Sequence, residues 1–298
     1  MFRGLLHGCS GRRAGLAGLA FLLMIATGTP TAAATRAAGA SVVGPSFAAA
    51  AVVPASVAAV TPRRRVARPI FPDTAIVSLG PARSGAFVAY PPGGSAAPGM
   101  VIVHEWWGLN AQIREMARRL AREGYVTIVP DLYGGKIATD GETAHILTRG
   151  LDEAEALRQI AAAAGWLAAE PRIAKRRLGV MGFCMGGRLA LEAALREPSF
   201  SAVVMFYGAP ESRVERLVSL KAPLLGHFGA DDQGISVDRV DSFGRMLKGA
   251  GKLGDVHIYP DAGHAFMNES QPGYRADAAR LAWVRTLDFL QKHVKALP

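Results

Sequence analysis

Three residue types that can carry acyl transfer follow one another along the chain: Cys184, the pair Asp231-Asp232, and His264. Cys184 lies in Gly182-Phe183-Cys184-Met185-Gly186, a G-x-nucleophile-x-G pattern in which a strand turns into a helix within one or two residues. Such a turn strains the backbone at its apex. The positions two before and two after must be nearly free of side chain, because strand and helix pass close together there. The apex residue is then presented at a helix N-terminus, where free N–H groups and the helix dipole favour a thiolate. The competing reading is a buried structural cysteine. The chain holds two cysteines, and Cys9 falls in a leader-like segment, so the mature protein is expected to carry one thiol and no internal disulfide.

A thiol with an ordinary pKa of about 8.5 is only slightly ionised at neutral pH, so a base is expected beside it. Of the seven histidines, His264 is the best placed, in a small loop (Asp261-Ala262-Gly263-His264-Ala265-Phe266) after the last expected strand. His7 falls in the leader, His145 and His293 in helical segments, and His104, His227 and His257 within strands. The acid that orients the base should lie between nucleophile and histidine. Asp231 and Asp232 follow an apolar strand at its carboxyl end, where such sheets place their sites, and spacing leaves both open. The acid would fix the imidazole tautomer and stabilise its cation. Asp238 and Asp241 read as solvated helix residues.

The elements that must position these groups alternate between strand and helix, the pattern of a mostly parallel sheet flanked by helices. Thr74–Leu79 and Gly85–Tyr90 read as a leading pair of strands, and Met100–His104 as a buried one. Asn110 to Arg122 is an amphipathic helix with Ile113, Met116, Ala117, Leu120 and Ala121 on one face; Tyr125–Val129 is the next strand. Gly141 to Glu170 is helical with a break near Gly150. The strand and helix around Cys184 follow, then strands Ala202–Phe206 and Pro223–Phe228, a helix over Val237–Leu247, a strand over Val256–Tyr259, and a long helix over Gly273–Val294. With the pattern at Cys184, this is an α/β chain of the α/β-hydrolase fold. No internal repeat is visible, and one domain over residues 73–298 accounts for the pattern.

The chain resembles the dienelactone hydrolase (carboxymethylenebutenolidase-like) family. The matching pieces are His104-Glu105-Trp106-Trp107-Gly108-Leu109-Asn110, Pro130-Asp131-Leu132-Tyr133, Gly182-Phe183-Cys184-Met185-Gly186-Gly187, Gly229-Ala230-Asp231-Asp232 and Ala262-Gly263-His264-Ala265-Phe266. They cover essentially all of residues 73–298 in the family's order. The resemblance implies that Asp232 is the acid and that Glu105 lies beside the thiol and shares control of its proton. The other reading of His104-Glu105 is an ion pair on the rim of the sheet; a zinc motif H-E-x-x-H fails because residue 108 is glycine. An oxyanion hole would come from the backbone N–H groups of Met185 and Trp106, each such donor being worth roughly 3 kcal/mol in the transition state.

Trp107, Tyr133, Tyr207 and Phe266 read equally as the lining of an apolar substrate site or as core. Family members that cleave dienelactone hold its carboxylate with arginines, and here Asn268 stands at one of those positions, with Arg149 the candidate substitute upstream. The expected activity is hydrolysis of an ester or lactone bond by a cysteine nucleophile through a thioacyl-enzyme. The alternatives are another ester or thioester as substrate, or a non-catalytic protein of this fold that binds a small ligand. No phosphate-binding glycine loop and no cluster of metal ligands is present, so neither cofactor nor metal is expected.

Residues 1–34 read as a secretory signal: Arg3, Arg12 and Arg13, an apolar run from Ala14 to about Thr27, and a small-residue cleavage site at Ala32-Ala33-Ala34. The run is short for a stable membrane span. Export to the periplasm or outside is expected, by the general or the twin-arginine route; a misassigned start codon would leave the protein cytoplasmic. Residues 35–72, rich in Ala, Val, Pro and Arg, read as a linker. Eight of the 34 basic residues and none of the 24 acidic ones lie in 1–72, so the net +10 falls to about +2 over the rest. That balance speaks against nucleic acid as a partner of the folded part, and a small ester or lactone is the expected ligand. Contact of 35–72 with lipid or nucleic acid is the remaining alternative.

Overall fold

Apolar runs bounded by turn residues become strands, and the period of about 3.6 becomes helices that cover them. The structure, a computed structural model, describes residues 74–79, 84–93 and 96–295; the expected leader and linker lie outside them. The strands are β1 (Thr74–Leu79), β2 (Ser84–Ala89), β3 (Ala97–Val103), β4 (Val126–Pro130), β5 (Ile173–Phe183), β6 (Phe200–Phe206), β7 (Leu224–Gly229) and β8 (Gly254–Tyr259). The helices are α1 (Ala111–Arg122), α2 (Gly141–Arg149), α3 (Glu153–Ala169), α4 (Met185–Arg196), α5 (Val214–Leu217), α6 (Val237–Gly249) and α7 (Ala276–Leu290), the last running into one π-type turn over Gln291–Lys295.

The described strands form a single eight-stranded sheet in the order β1-β2-β4-β3-β5-β6-β7-β8. β1–β2 and β2–β4 pair antiparallel and all other neighbours pair parallel. Strand alternation divides the core. Val101 and Val103 face α3, α4 and α6 on one side of the sheet, whereas Met100 and Ile102 face α1 and α7 on the other. Both faces are therefore apolar, and β3, β4, β6 and β7 read as largely hydrophobic runs, whereas β5 carries Lys175, Arg176 and Arg177 before its buried half at 178–183.

The helix starts follow from capping chemistry. Asn110, Asp140, Asp152 and Ser236 each accept a hydrogen bond from a first-turn N–H of α1, α2, α3 and α6. The expected break near Gly150 is the boundary of α2 and α3, restarted by Asp152. Several boundaries differ from expectation, the starts of β3, β6 and β8 by two or three residues. β5 begins at Ile173, because its first residues pair with Ala97 before a register shift. The short helix α5 has no periodicity long enough to read. The last helix begins at Ala276 rather than Gly273, because Arg275 ties the preceding turn by donating to the carbonyls of Asp261 and Pro272. Among the described residues no helix is long and apolar enough to cross a membrane.

Candidate active site

The carboxyl ends of five parallel strands converge on one place, as open α/β sheets require of their sites. Glu105 follows β3, Cys184 follows β5, Tyr207 follows β6, Asp232 follows β7 and His264 follows β8.

Cys184 is the turn itself. Its backbone sits at φ 54° and ψ −120°, a conformation L-residues rarely adopt, while Phe206 O accepts its N–H at 3.0 Å. A Cβ on Gly182 would lie 2.0 Å from Gly186 O, and one on Gly186 would lie 2.3 Å from Val103 O. The two glycines are thus demanded by the crossing of β5, α4 and β3. Cys184 occupies the N-cap position of α4 without capping it through its side chain. The thiol therefore stands against the positive end of a helix whose first N–H groups, Met185 among them, have no intrahelical acceptor.

Asp232 is almost fully buried and His264 reaches solvent with part of its ring. Asp232 Oδ2 lies 2.7 Å from His264 Nδ1, and Oδ1 accepts from the N–H groups of Gly234 (2.8 Å) and Ile235 (3.2 Å). The neighbouring Asp231 is exposed, so of the two aspartates that spacing leaves open it is Asp232 that lies buried against His264. Burial opposes the imidazolium of His264, but hydrogen bonds to Asp232 and Cys184, with their negative charge, outweigh it and raise its pKa to about 10. Burial also works against the Asp232 carboxylate, yet His264 and the two backbone donors hold it below its ordinary range.

Glu105 is buried beside this group. Its Oε1 accepts from the Tyr207 hydroxyl at 2.9 Å and its Oε2 from Asn268 Nδ2 at 2.7 Å. Burial pushes its carboxyl up, against the pull of those two donors and of the His264 charge. His104 is no ion-pair partner: its Nδ1 lies 2.6 Å from the Glu105 carbonyl and its Nε2 accepts from Leu132 N–H at 3.2 Å. A carbonyl only accepts and an N–H only donates, so the ring is neutral with its proton on Nδ1. Burial pulls its pKa down accordingly.

The expected pocket residues separate. Tyr133 is buried at the site, its hydroxyl 3.1 Å from Thr148 Oγ1 and 3.5 Å from the Met185 sulfur. Trp106 and Trp107 are half-buried with ring centroids 5.1 Å apart, and Trp106 meets His145 of α2 edge-on at 4.8 Å. Phe266 corrects the expectation: it is fully buried between Tyr207 (5.5 Å) and Tyr259 (5.1 Å), so it is core and offers a ligand no surface. Arg149 is exposed and bonds back to His145 O of its own helix. Two buried polar partners carried no motif. Tyr207, weighed only as pocket or core, could have been singled out by its place at a strand's carboxyl end, where open α/β sheets put their sites. Asn268 gave no such signal. Among the described residues no group of three or more His, Cys, Asp or Glu is arranged to hold a metal ion.

Comparison with known proteins identifies a family and a fold. A family model described as the dienelactone hydrolase family matches residues 85–294. A Methylorubrum extorquens protein named "Putative carboxymethylenebutenolidase" is 33% identical over 222 residues, covering 70% of this chain and 76% of the relative. A Bradyrhizobium protein named "Probable 2-oxo-3-(5-oxofuran-2-ylidene)propanoate lactonase" is 31% identical over 222 residues, covering 70% and 89%. Among solved structures, one of a Klebsiella pneumoniae protein described as "Putative Dienelactone Hydrolase" superposes with a TM-score of 0.68 at 29% identity, covering 74% of this chain and 98% of that one.

Proposed function

The chain belongs to the dienelactone hydrolase family, and from that premise we propose that it hydrolyses an ester or lactone bond with Cys184 as nucleophile. Family membership makes it a hydrolase of lactone or ester bonds on small molecules. The finer reading rests on one observation above others: His264, bound through Nδ1 to buried Asp232, turns its other nitrogen to a cysteine at a helix N-terminus.

In the proposed mechanism the Cys184 thiolate attacks the carbonyl carbon. The S–C bond forms, and the oxyanion is held by the backbone N–H groups of Met185 and Trp106. As the tetrahedral intermediate collapses, the C–O bond breaks and protonated His264 gives its Nε2 proton to the leaving oxygen. His264 then takes a proton from water, the hydroxide adds to the thioester, and the thiolate leaves with the acid as product. Asp232 holds the imidazole so that Nε2 faces the reaction throughout. Glu105 shares the thiol's proton with His264 in the resting site. Trp106, Trp107 and Tyr133 line the substrate's side of the sheet.

The test is hydrolysis of p-nitrophenyl acetate, dienelactone and an uncharged lactone by the wild type, by the alkylated protein and by Cys184→Ala. Activity lost in both treated forms supports the nucleophile; activity that survives Cys184→Ala refutes it. The ranking of the three substrates reports whether a carboxylate is wanted where Asn268 stands in place of an arginine. We also propose that residues 1–34 are removed on export. Sequencing the N-terminus of the secreted protein tests this, and an intact Met1 refutes it.

A further inference from the structure

Asn268 is fully buried, and its side chain is fixed from two directions. Its Oδ1 accepts from the N–H of Ser270 at 3.0 Å and from the Ser270 hydroxyl at 2.7 Å. Because an N–H can only donate, the amide has one possible orientation, with Nδ2 turned to Glu105 Oε2 at 2.7 Å. The backbone is held as well: Asn268 N–H donates to Ala265 O at 2.8 Å, and Asn268 O accepts from Gln271 N–H at 3.0 Å.

Glu105 therefore receives two donors, the Asn268 amide and the Tyr207 hydroxyl, neither of them a cation. The other groups that face it are His264, across the site, and its own neighbour His104, which is neutral and bonds the Glu105 carbonyl. Cys184 acts on Tyr207 and on His264, the two groups that adjoin Glu105. The Tyr207 hydroxyl can donate to a carboxylate or accept from a carboxylic acid, whereas the Asn268 NH2 only donates, and it bonds a carboxylate more strongly than the carbonyl oxygen of an acid. Burial favours the acid. Glu105 is held between these tendencies, and the Asn268 amide is the partner that favours ionisation whichever way the Tyr207 hydroxyl turns.

We propose that Asn268 is a positioning residue for Glu105: a neutral amide, locked by Ser270, that fixes the buried carboxylate through Oε2 and keeps it ionisable without a positive charge. The catalytic consequence rests on the reading of Glu105 as part of the thiol's proton network. The structural claim does not, and the experiment separates the two.

The experiment is an infrared titration of the whole protein, following the carboxyl C=O band that is absent in Glu105→Gln. In Asn268→Leu, which keeps the shape and removes the donor, the midpoint of that band rises by about one to two pH units. The acid limb of kcat/KM moves up with it, and Ser270→Ala shifts both by less. A role confined to stability would lower the melting temperature and leave the midpoint where it was. A folded Asn268→Leu protein with the wild-type midpoint overturns the proposal. If Asn268→Leu does not fold, a folded Ser270→Ala protein with the wild-type midpoint does so. A shifted infrared midpoint with an unmoved kcat/KM limb keeps the positioning role and refutes the part given to Glu105 in catalysis. Activity that survives Cys184→Ala refutes the proposed function and leaves the infrared result standing.

Discussion

Replacing Asp232 by asparagine tests how the base is oriented, because the two oxygens of Asp232 do different work. Oδ1 takes two backbone N–H groups, from Gly234 at 2.8 Å and Ile235 at 3.2 Å, and Oδ2 takes His264 Nδ1 at 2.7 Å. Asparagine has one oxygen to divide between these tasks. Turning its NH2 toward Gly234 and Ile235 would set a donor against two donors in a place where the side chain is 1% exposed. The oxygen therefore stays with the backbone, and the NH2 faces Nδ1. His264 then keeps its proton on Nε2, the nitrogen that must accept from Cys184. The expected loss in kcat is about 10⁴-fold, the scale associated with trapping the wrong tautomer, or about 5.5 kcal/mol of barrier. Stopped-flow hydrolysis of p-nitrophenyl acetate measures it, and the ultraviolet absorbance of the thiolate at neutral pH should fall in parallel. Asp231→Asn, at an exposed carboxylate, is expected to behave as wild type. An Asp232→Asn enzyme within about tenfold of wild type, or an equal loss in Asp231→Asn, would refute the reasoning.

Strain at Cys184 gives a second expectation: Cys184→Gly should be more stable than Cys184→Ala by about 1 kcal/mol in urea unfolding, since only glycine accepts φ 54° without cost. Equal stability of these two inactive proteins would count against strain at the turn. Gly182→Ala should lose more than about 3 kcal/mol or fail to fold, because its Cβ would meet backbone at 2.0 Å; a near-native melting temperature would contradict the crossing described here. Glu105→Gln carries a pH signature. The carboxyl's pKa in the fold is raised above its ordinary 4.5, so the wild type loses stability as pH rises from 4.5 through the raised value. The variant lacks that slope. Its melting temperature should therefore gain on the wild type only above 4.5, and a pH-independent difference would contradict the burial argument.

Much of this site is legible in the order of residues. The glycines around Cys184 reflect a steric demand that no side chain satisfies, so the turn shows itself as a pattern. His264 and the Asp231-Asp232 pair are short-range loop features after apolar runs, and Trp106, following Glu105 at a strand end, came with the family's motif. The central strands were visible because burial on both faces leaves them largely apolar, while β1 and β8 at the sheet's edges are only partly buried, and the caps Asp140 and Asp152 begin the two helices either side of Gly150. Less legible were the ends set by tertiary pairing: the early start of β5 against Ala97 and the late start of α7 behind Arg275.

The sequence by itself determined the strand–Cys184–helix turn, the alternation of strand and helix, and the short loop that carries His264, since each is written in neighbouring residues. Only the tertiary structure set Asp232 rather than Asp231 against His264, sent Phe266 into the core, and joined Glu105 to Tyr207 and Asn268 across 102 and 163 residues of chain. The physical reason is the range of the forces involved. Steric and capping demands act between near neighbours and leave patterns, whereas burial and the pairing of buried polar groups depend on which distant strand ends the sheet brings together.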